Sequence, residues 1–232
     1  MAAVPESEGV VHSEYSGEGL SEDQLAATPL DQVRRWVAEA EARQADRGDV
    51  AEPTALSVAT VDADGHPNVR TVLMRFLDER GPGFVTDLGS TKSRELGVTD
   101  AVAASLTWPA MYRAVRFRGR AVPIGRDEIA TYFTSRAWGS RISAWASDQS
   151  QPIADRAALV AAYERYAGLY PDTGSVEDVP VPDGWGGWRI DCDEVELWAG
   201  RRDRLHDRLV FTRVAPGDLA TASAWSVHRR QP

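Results

Sequence analysis

Between Thr54 and Ile124 apolar side chains recur at alternate positions, a period of two that buries them only if the chain forms strands with one face on a core. Leu56, Val58 and Thr60 alternate as far as Asp62-Ala63-Asp64-Gly65, and the pattern resumes over 69–77, which reads as a hairpin with a glycine-bearing turn. A second turn over 78–83 leads to Phe84-Val85-Thr86, expected as the third strand of a meander. Residues 101–108 and 112–124 follow as two more strands joined through Pro109. In the latter, Val115 and Phe117 face inward, while Arg116, Arg118 and Arg120 face outward and read as a solvated surface.

Helical patterning flanks this β region. Thr28-Pro29-Leu30-Asp31 predicts a helix start, with Thr28 as N-cap and Pro29 at the first helical position. Leu30, Val33, Trp36, Val37 and Ala40 form its buried stripe, and Gly48 closes it. Residues 126–136, 142–147 and 154–170 read as further helices, and 171–187 as a long Gly- and Pro-rich surface loop. Strands return at 188–190, 195–198, 205–213 and 225–228. A meander, then inserted helices, then returning strands predict a mainly β, α+β fold: a closed or nearly closed antiparallel barrel decorated by helices.

The 232 residues carry a net charge of -9, which argues against a general nucleic-acid binder, so any anion site must be local. No 18-residue apolar run is present, and the first ten residues hold Glu6 and Glu8 but no basic stretch; neither a membrane span nor a signal peptide is expected, and the protein is expected to be cytoplasmic. The lone Cys192 allows no internal disulfide, and His12, His66, His206 and His228 show no ligand spacing, so no structural metal is expected. Residues 1–27 read as a flexible acidic segment whose one sizeable anchor is Tyr15, and 28–232 as a single domain. Among 26 basic residues only Lys92 is a lysine, which singles it out.

Four segments are suited to anions. Arg70-Thr71-Val72-Leu73-Met74-Arg75 lies on the second strand; its arginines, five apart, share a site only if the strand bulges or a ligand wraps its end. Thr86-Asp87-Leu88-Gly89-Ser90-Thr91-Lys92-Ser93 ends a strand and opens a helix, where backbone N–H groups, hydroxyls and a lysine suit a phosphate. Tyr132, Arg136 and Ser140 stack along one side if their helix runs that far. Arg204, His206 and Arg208 alternate on an expected strand and form a cationic row on one face, with Trp198 upstream as a stacking plane. Taken alone, each of the last two groups is better read as a merely solvated polar face.

Order and spacing of these segments, with Tyr132-Phe133-Thr134-Ser135-Arg136, Ala144-Trp145-Ala146-Ser147, Gln149-Ser150, Gly184-Trp185-Gly186-Gly187 and Arg204-Leu205-His206-Asp207-Arg208, resemble the pyridoxamine 5'-phosphate oxidases from about Glu14 to Pro232. The resemblance implies an FMN-binding split barrel, a homodimer with two sites at the subunit interface, and oxidation of pyridoxamine or pyridoxine 5'-phosphate to pyridoxal 5'-phosphate, with O2 as acceptor and H2O2 as product. It assigns FMN contacts to Arg70, Thr71, Val72, Leu73, Met74, Arg75, Val85, Thr86, Thr91, Lys92, Gln149, Ser150, Trp198 and Arg208. It assigns the phosphorylated vitamin B6 substrate to Arg75, Tyr132, Arg136, Ser140 and Tyr15, with Arg204 and His206 as catalytic residues at its ring.

The chain departs from the family pattern at ligand contacts. Arg75 stands where a lysine is usual, Thr91 where an arginine is, Ala114 and Ala199 where glutamines are, Val85 where a tyrosine is, and His12 where an arginine is. A planar fork is no substitute for a compact ammonium at a fitted site. These departures keep two other readings open: an FMN oxidase of another substrate, as in the phenazine-biosynthesis oxidases, and a non-enzymatic carrier of flavin or pyridoxal phosphate.

Overall fold

The computed structural model describes residues 14–232, so His12 and most of the acidic start lie outside the described residues. Helix α1 (Pro29–Arg47) begins as the sequence predicts: the Thr28 hydroxyl accepts from the Asp31 N–H at 3.1 Å, and Pro29 occupies the first turn. Gly48 ends it at φ 70°, a left-handed conformation open to glycine at no steric cost. Its expected stripe is buried, with Trp36 edge-on to Trp108 and capped by the Arg113 guanidinium 5.0 Å from its ring.

Nine strands form one antiparallel sheet: β1 (Ala55–Val61), β2 (Pro67–Leu73), β3 (Phe76–Asp78), β4 (Gly81–Asp87), β5 (Ala101–Trp108), β6 (Arg113–Pro123), β7 (Trp185–Ala199), β8 (Asp207–Arg213) and β9 (Trp225–Arg229). The hydrogen-bonded order is β2-β1-β5-β6-β7-β4-β3, with β8 added to β7 and β9 to β8. Its two ends, β2 and β3, are consecutive in the chain. Only Met74 and Arg75 lie between them: the Met74 N–H bonds Thr54 O on one side and the Arg75 N–H bonds Gly83 O on the other, both at 2.8 Å. A chain that steps from one end of a sheet to the other in two residues forces that sheet to curl until its ends meet, and it leaves a split where they are unpaired.

Three expectations change. The segment 84–86 is a strand but not the third of a meander, because β4 pairs with β3 and β7 rather than β2. The two short strands expected at 188–190 and 195–198 are one strand of 15 residues, since a bulge at Asp193 shifts the register against β6 between Arg118 and Gly119 and breaks the alternation. The helix expected over 126–136 ends earlier: α3 is Arg126–Thr134, and α4 (Trp138–Ala146) starts afresh, so Ser140 does not continue the side of α3 that bears Tyr132. Between β4 and β5 lies α2 (Thr91–Val98), and α5 (Arg156–Leu169) packs on α4.

Two apolar clusters result. One fills the barrel beneath α1 around Leu56, Phe84, Leu106, Phe117 and Phe211; the other, around Ile129, Phe133, Ile142 and Trp185, docks α3 and α4 on the end of β7. Segment 14–27 is laid on the barrel rather than loose: Leu20 is buried, its N–H bonds the Asp207 carboxylate at 2.9 Å, and Tyr15 meets Tyr112 edge-on.

The bulge depends on Gly119, where an added Cβ would stand 1.9 Å from Asp191 O. Backbone cannot yield as a side chain tip can, so Gly119→Ala is expected to lose at least about 2 kcal/mol of stability, measured as a lower urea midpoint at unchanged slope.

Candidate functional site

The chemistry-bearing side chains gather into three groups. In the first, β4 delivers Thr86 and the first turn of α2 delivers Lys92, a buried residue. The Lys92 ammonium donates to Thr86 Oγ1 at 3.0 Å, Ser90 Oγ at 3.3 Å and Gln149 Oε1 at 2.7 Å, all neutral oxygens. Gln149 reaches in from a strained loop, since Ser150 stands at φ 73°. Desolvation, and secondarily the Arg70 charge, lowers the Lys92 pKa from the ordinary 10.5 to about 8. Arg70 itself is spent on Glu95 at 2.8 Å and on the Thr60 hydroxyl. A buried ammonium held by neutral acceptors alone is a site that an anion completes.

The second group surrounds Arg136, just past α3. Its guanidinium lies 4.9 Å from the Trp185 ring, and Tyr132 stacks parallel to the same indole at 6.2 Å. Arg136 Nη1 is buried without a hydrogen-bond partner among the described residues. Burial, and to a lesser degree the charge of exposed Arg75, pushes the Arg136 pKa down. Two guanidinium groups near one another with no carboxylate between them again call for an anion. The strand does break at Met74–Arg75, but the break leaves Arg70 bonded to Glu95 and Arg75 near Arg136, so the two arginines fall in different groups.

The third group sits at the far end of β7. His206 packs at 4.8 Å on Trp198 and at 5.2 Å on Tyr15, and its Nδ1 accepts from the Arg201 N–H at 3.1 Å. A neutral His206 therefore carries its proton on Nε2. The expected cationic row is not a strand face: residues Arg202–Arg204 form a 3-10 turn with Asp203 and Arg204 at φ 55° and 60°, and β8 starts only at Asp207. Arg204 is exposed on that turn, whereas Arg208 lies in the strand opposite Trp198 and is bonded to Glu196.

Among the other assigned residues, Thr71 is exposed, Val72 and Leu73 are half-buried, Met74 is buried, and Val85 packs on the aromatic cluster around Trp185. The Thr91 hydroxyl accepts from Arg94 at 3.1 Å, and Ser140 is exposed at the start of α4. Of the outward arginines on β6, Arg120 pairs with Asp100 and Arg116 with Glu194 and Glu196. Sequence reading missed the carboxylates Glu95 and Glu196, although the alternation of Glu194, Glu196 and Trp198 was there to mark the latter. Burial pushes the Cys192 thiol up, so it is no nucleophile. The exposed turn after β1 holds Asp62, Asp64 and His66 close together, but Asp62 is occupied by the N–H groups of Asp64 and His66.

A nine-stranded split barrel with unpaired cations beside the start of β7 and an aromatic-packed histidine at its end belongs to a known class. Residues 42–170 match the family described as pyridoxamine 5'-phosphate oxidase, and 185–232 match the pyridoxine 5'-phosphate oxidase C-terminal dimerisation region. A pyridoxine/pyridoxamine 5'-phosphate oxidase of Streptomyces avermitilis is 47% identical over 94% of this chain and 93% of its own length. One from Kineococcus radiotolerans is 43% identical over 94% and 96%. Among solved structures, PhzG from Burkholderia lata 383, in complex with tetrahydrophenazine-1-carboxylic acid, superposes with a TM-score of 0.80 at 30% identity over 94% of this chain and all of that one. A related FMN-binding protein of Nostoc punctiforme shares the fold, with a TM-score of 0.65 at 17% identity over 90% and 99%. The fold is that of the split-barrel oxidases. The chain belongs to the pyridoxamine 5'-phosphate oxidase family, and no helix of the described residues is long and apolar enough to cross a membrane.

Between about 8 and 10.5 the unfolded chain binds a proton at Lys92 that the folded one has lost, so the lysine's destabilising effect fades as pH rises through that window. Lys92→Met is therefore expected to be more stable than the parent below pH 8, with the advantage shrinking toward pH 10.5 in paired urea melts of the ligand-free protein.

Proposed function

We propose that this protein is a homodimeric, FMN-dependent oxidase that converts pyridoxamine or pyridoxine 5'-phosphate to pyridoxal 5'-phosphate, with O2 as acceptor. The observation that carries this reading is the half-buried Arg136 guanidinium, its buried Nη1 without a partner among the described residues, near Arg75 and over a wall of Trp185 and Tyr132. Two cations suit a phosphate, which carries nearly two charges at neutral pH, and the aromatic wall suits a flat ring.

The residues also fit the cofactor. Lys92, with Thr86 and Gln149 beside it and Arg70 near, would hold the FMN phosphate, whose charge answers the ammonium's lack of an anionic partner. Thr91, Ser150, the 70–75 segment and Val85 would line the same end, and Trp198 and Arg208 would hold the flavin at the other. The chemistry FMN would supply there is hydride acceptance from the substrate C4' and reoxidation by O2 to give H2O2, with water releasing ammonia where the substrate is the amine.

This chain's own residues bind and orient. Arg136 and Arg75 grip the phosphate, Tyr132 and Ser140 complete its surroundings, and Tyr15 closes over the ring from the N-terminal segment. His206, its Nδ1 engaged by Arg201, offers Nε2–H as a donor rather than a base, and Arg204 supplies charge beside it. The substrate amine must therefore arrive neutral, its proton lost to solvent.

One chain does not bring these parts together. Trp185, against Arg136, and Trp198, against His206, are the two ends of β7, thirteen positions apart and roughly 40 Å along an extended strand. Bending shortens that span, but a vitamin-sized ligand is several times smaller. We read the active site as composite, with the phosphate grip from one subunit and the His206 turn from the other, in keeping with the dimerisation region matched by 185–232.

A second reading is favoured by the likeness to PhzG: the same oxidase chemistry on a different anionic ring compound. Anaerobic mixing separates the two. Flavin bleaching by pyridoxamine 5'-phosphate, absent with unphosphorylated pyridoxamine, is expected; a yellow protein that neither phosphorylated vitamer bleaches would leave the second reading, and a protein that takes up no FMN would sink both. Complementation tests the composite site. Arg136→Ala and His206→Ala homodimers are each expected to lose about 100-fold or more in kcat/KM. Co-expression should restore roughly a quarter of wild-type activity, because half the dimers then hold one intact site; no recovery would place both residues in the same subunit's site.

A further inference from the structure

We infer that Glu196 is the positioning residue for Arg208, and that it strengthens flavin binding although it places a negative charge beside an anionic cofactor. This rests on the proposed place of Arg208 at the flavin. Glu196 lies on β7 between the bulge and Trp198 and is only 4% exposed. Its Oε1 accepts from Arg208 Nε at 3.0 Å and Nη2 at 2.9 Å, and its Oε2 accepts from Arg208 Nη2 at 2.9 Å, a two-pronged grip on the guanidinium edge. The same Oε2 takes Arg116 Nη2 at 2.6 Å and Arg230 Nη1 at 2.9 Å.

Three arginines from β6, β8 and the chain just past β9 thus converge on one carboxylate. Glu194, two positions back on the same strand, helps with Arg116 at 3.2 Å and Arg230 at 3.0 Å but does not touch Arg208. Arg208 Nη1 is fixed from the opposite side by Gln231 O at 3.1 Å, so the whole guanidinium is held in one plane opposite Trp198. Three cations against two carboxylates leave one positive charge in surplus, and that surplus is what an anionic ligand meets. Without Glu196, three mutually repelling guanidinium groups lose their common anchor and Arg208 is free to swing away.

This gives a result opposite to that of simple charge counting, which expects loss of a carboxylate to tighten binding of an anion. FMN affinity of the apoprotein, measured by quenching of flavin fluorescence, reads it without any turnover. Glu196→Gln is expected to bind FMN at least about tenfold more weakly. Glu194→Gln, which removes the same charge without touching Arg208, should bind as well as the parent or better. Arg208→Ala should bind more weakly, and adding Glu196→Gln to it should cost less than about twofold more, because the first change already removes what the second acts through.

If Glu196→Gln binds FMN as tightly as the parent while Arg208→Ala is weakened, the positioning role falls alone. Full additivity of the two changes would also overturn it, by showing a general structural role instead. An Arg208→Ala protein with unchanged affinity would remove Arg208 from the flavin and take the inference with it. Should Glu196→Gln fail to fold, Glu196→Asp keeps the charge but retracts it by one methylene; about threefold or greater weakening supports the role, and unchanged affinity overturns it.

Discussion

The barrel is closed by the step at Met74 and Arg75, and most of the site depends on that step. Because Met74 bonds the chain before β1 and Arg75 bonds β4, one dipeptide belongs to both ends of the sheet. Arg70 is thereby committed to the β1 side, where Glu95 and Thr60 take its charge, while exposed Arg75 lies near enough to Arg136 to lower its pKa. A regular strand through this segment would have separated the two arginines by face alone and left no split for a ligand.

Against that closure, β7 serves as the spine. Its first residues pair with β4 and carry Trp185, its last pair with β8 and carry Trp198, and the bulge at Asp193 turns the strand between them. The cations along it divide by partner. Arg70, Arg116, Arg189 and Arg208 are matched to carboxylates. Buried Lys92 and half-buried Arg136 have no such match among the described residues, and desolvation lowers the pKa of both. An acidic protein with net charge -9 can in this way present local anion sites, because what a ligand meets is the unpaired remainder rather than the total.

Local elements were legible where their cause is local. The cap at Thr28, the Asp62 to Gly65 turn and the alternation along β5 and β6 are each dictated by neighbours within a few residues, and the structure follows them. Misreadings arose where a distant partner decided. An extra residue on β7 was compensated by β6 and made two apparent strands into one; β4 found β7 rather than its neighbour in sequence; and positive φ at Asp203 and Arg204 lifted the catalytic candidates off the strand they were expected to share with Arg208. The carboxylates Glu95 and Glu196 went unnoticed for a similar reason, since a buried acid declares itself only through the arginines that surround it.

By itself, then, the sequence determined the antiparallel β character and the capped first helix, which follow from period and capping chemistry, and through its motifs the resemblance that identifies the family. Only the tertiary structure decided which cations are already neutralised, which have no carboxylate partner among the described residues, and that Arg136 and the His206 turn lie at opposite ends of one strand. Those are properties of pairing and burial, and they exist only once the sheet has curled and brought distant charges together or held them apart.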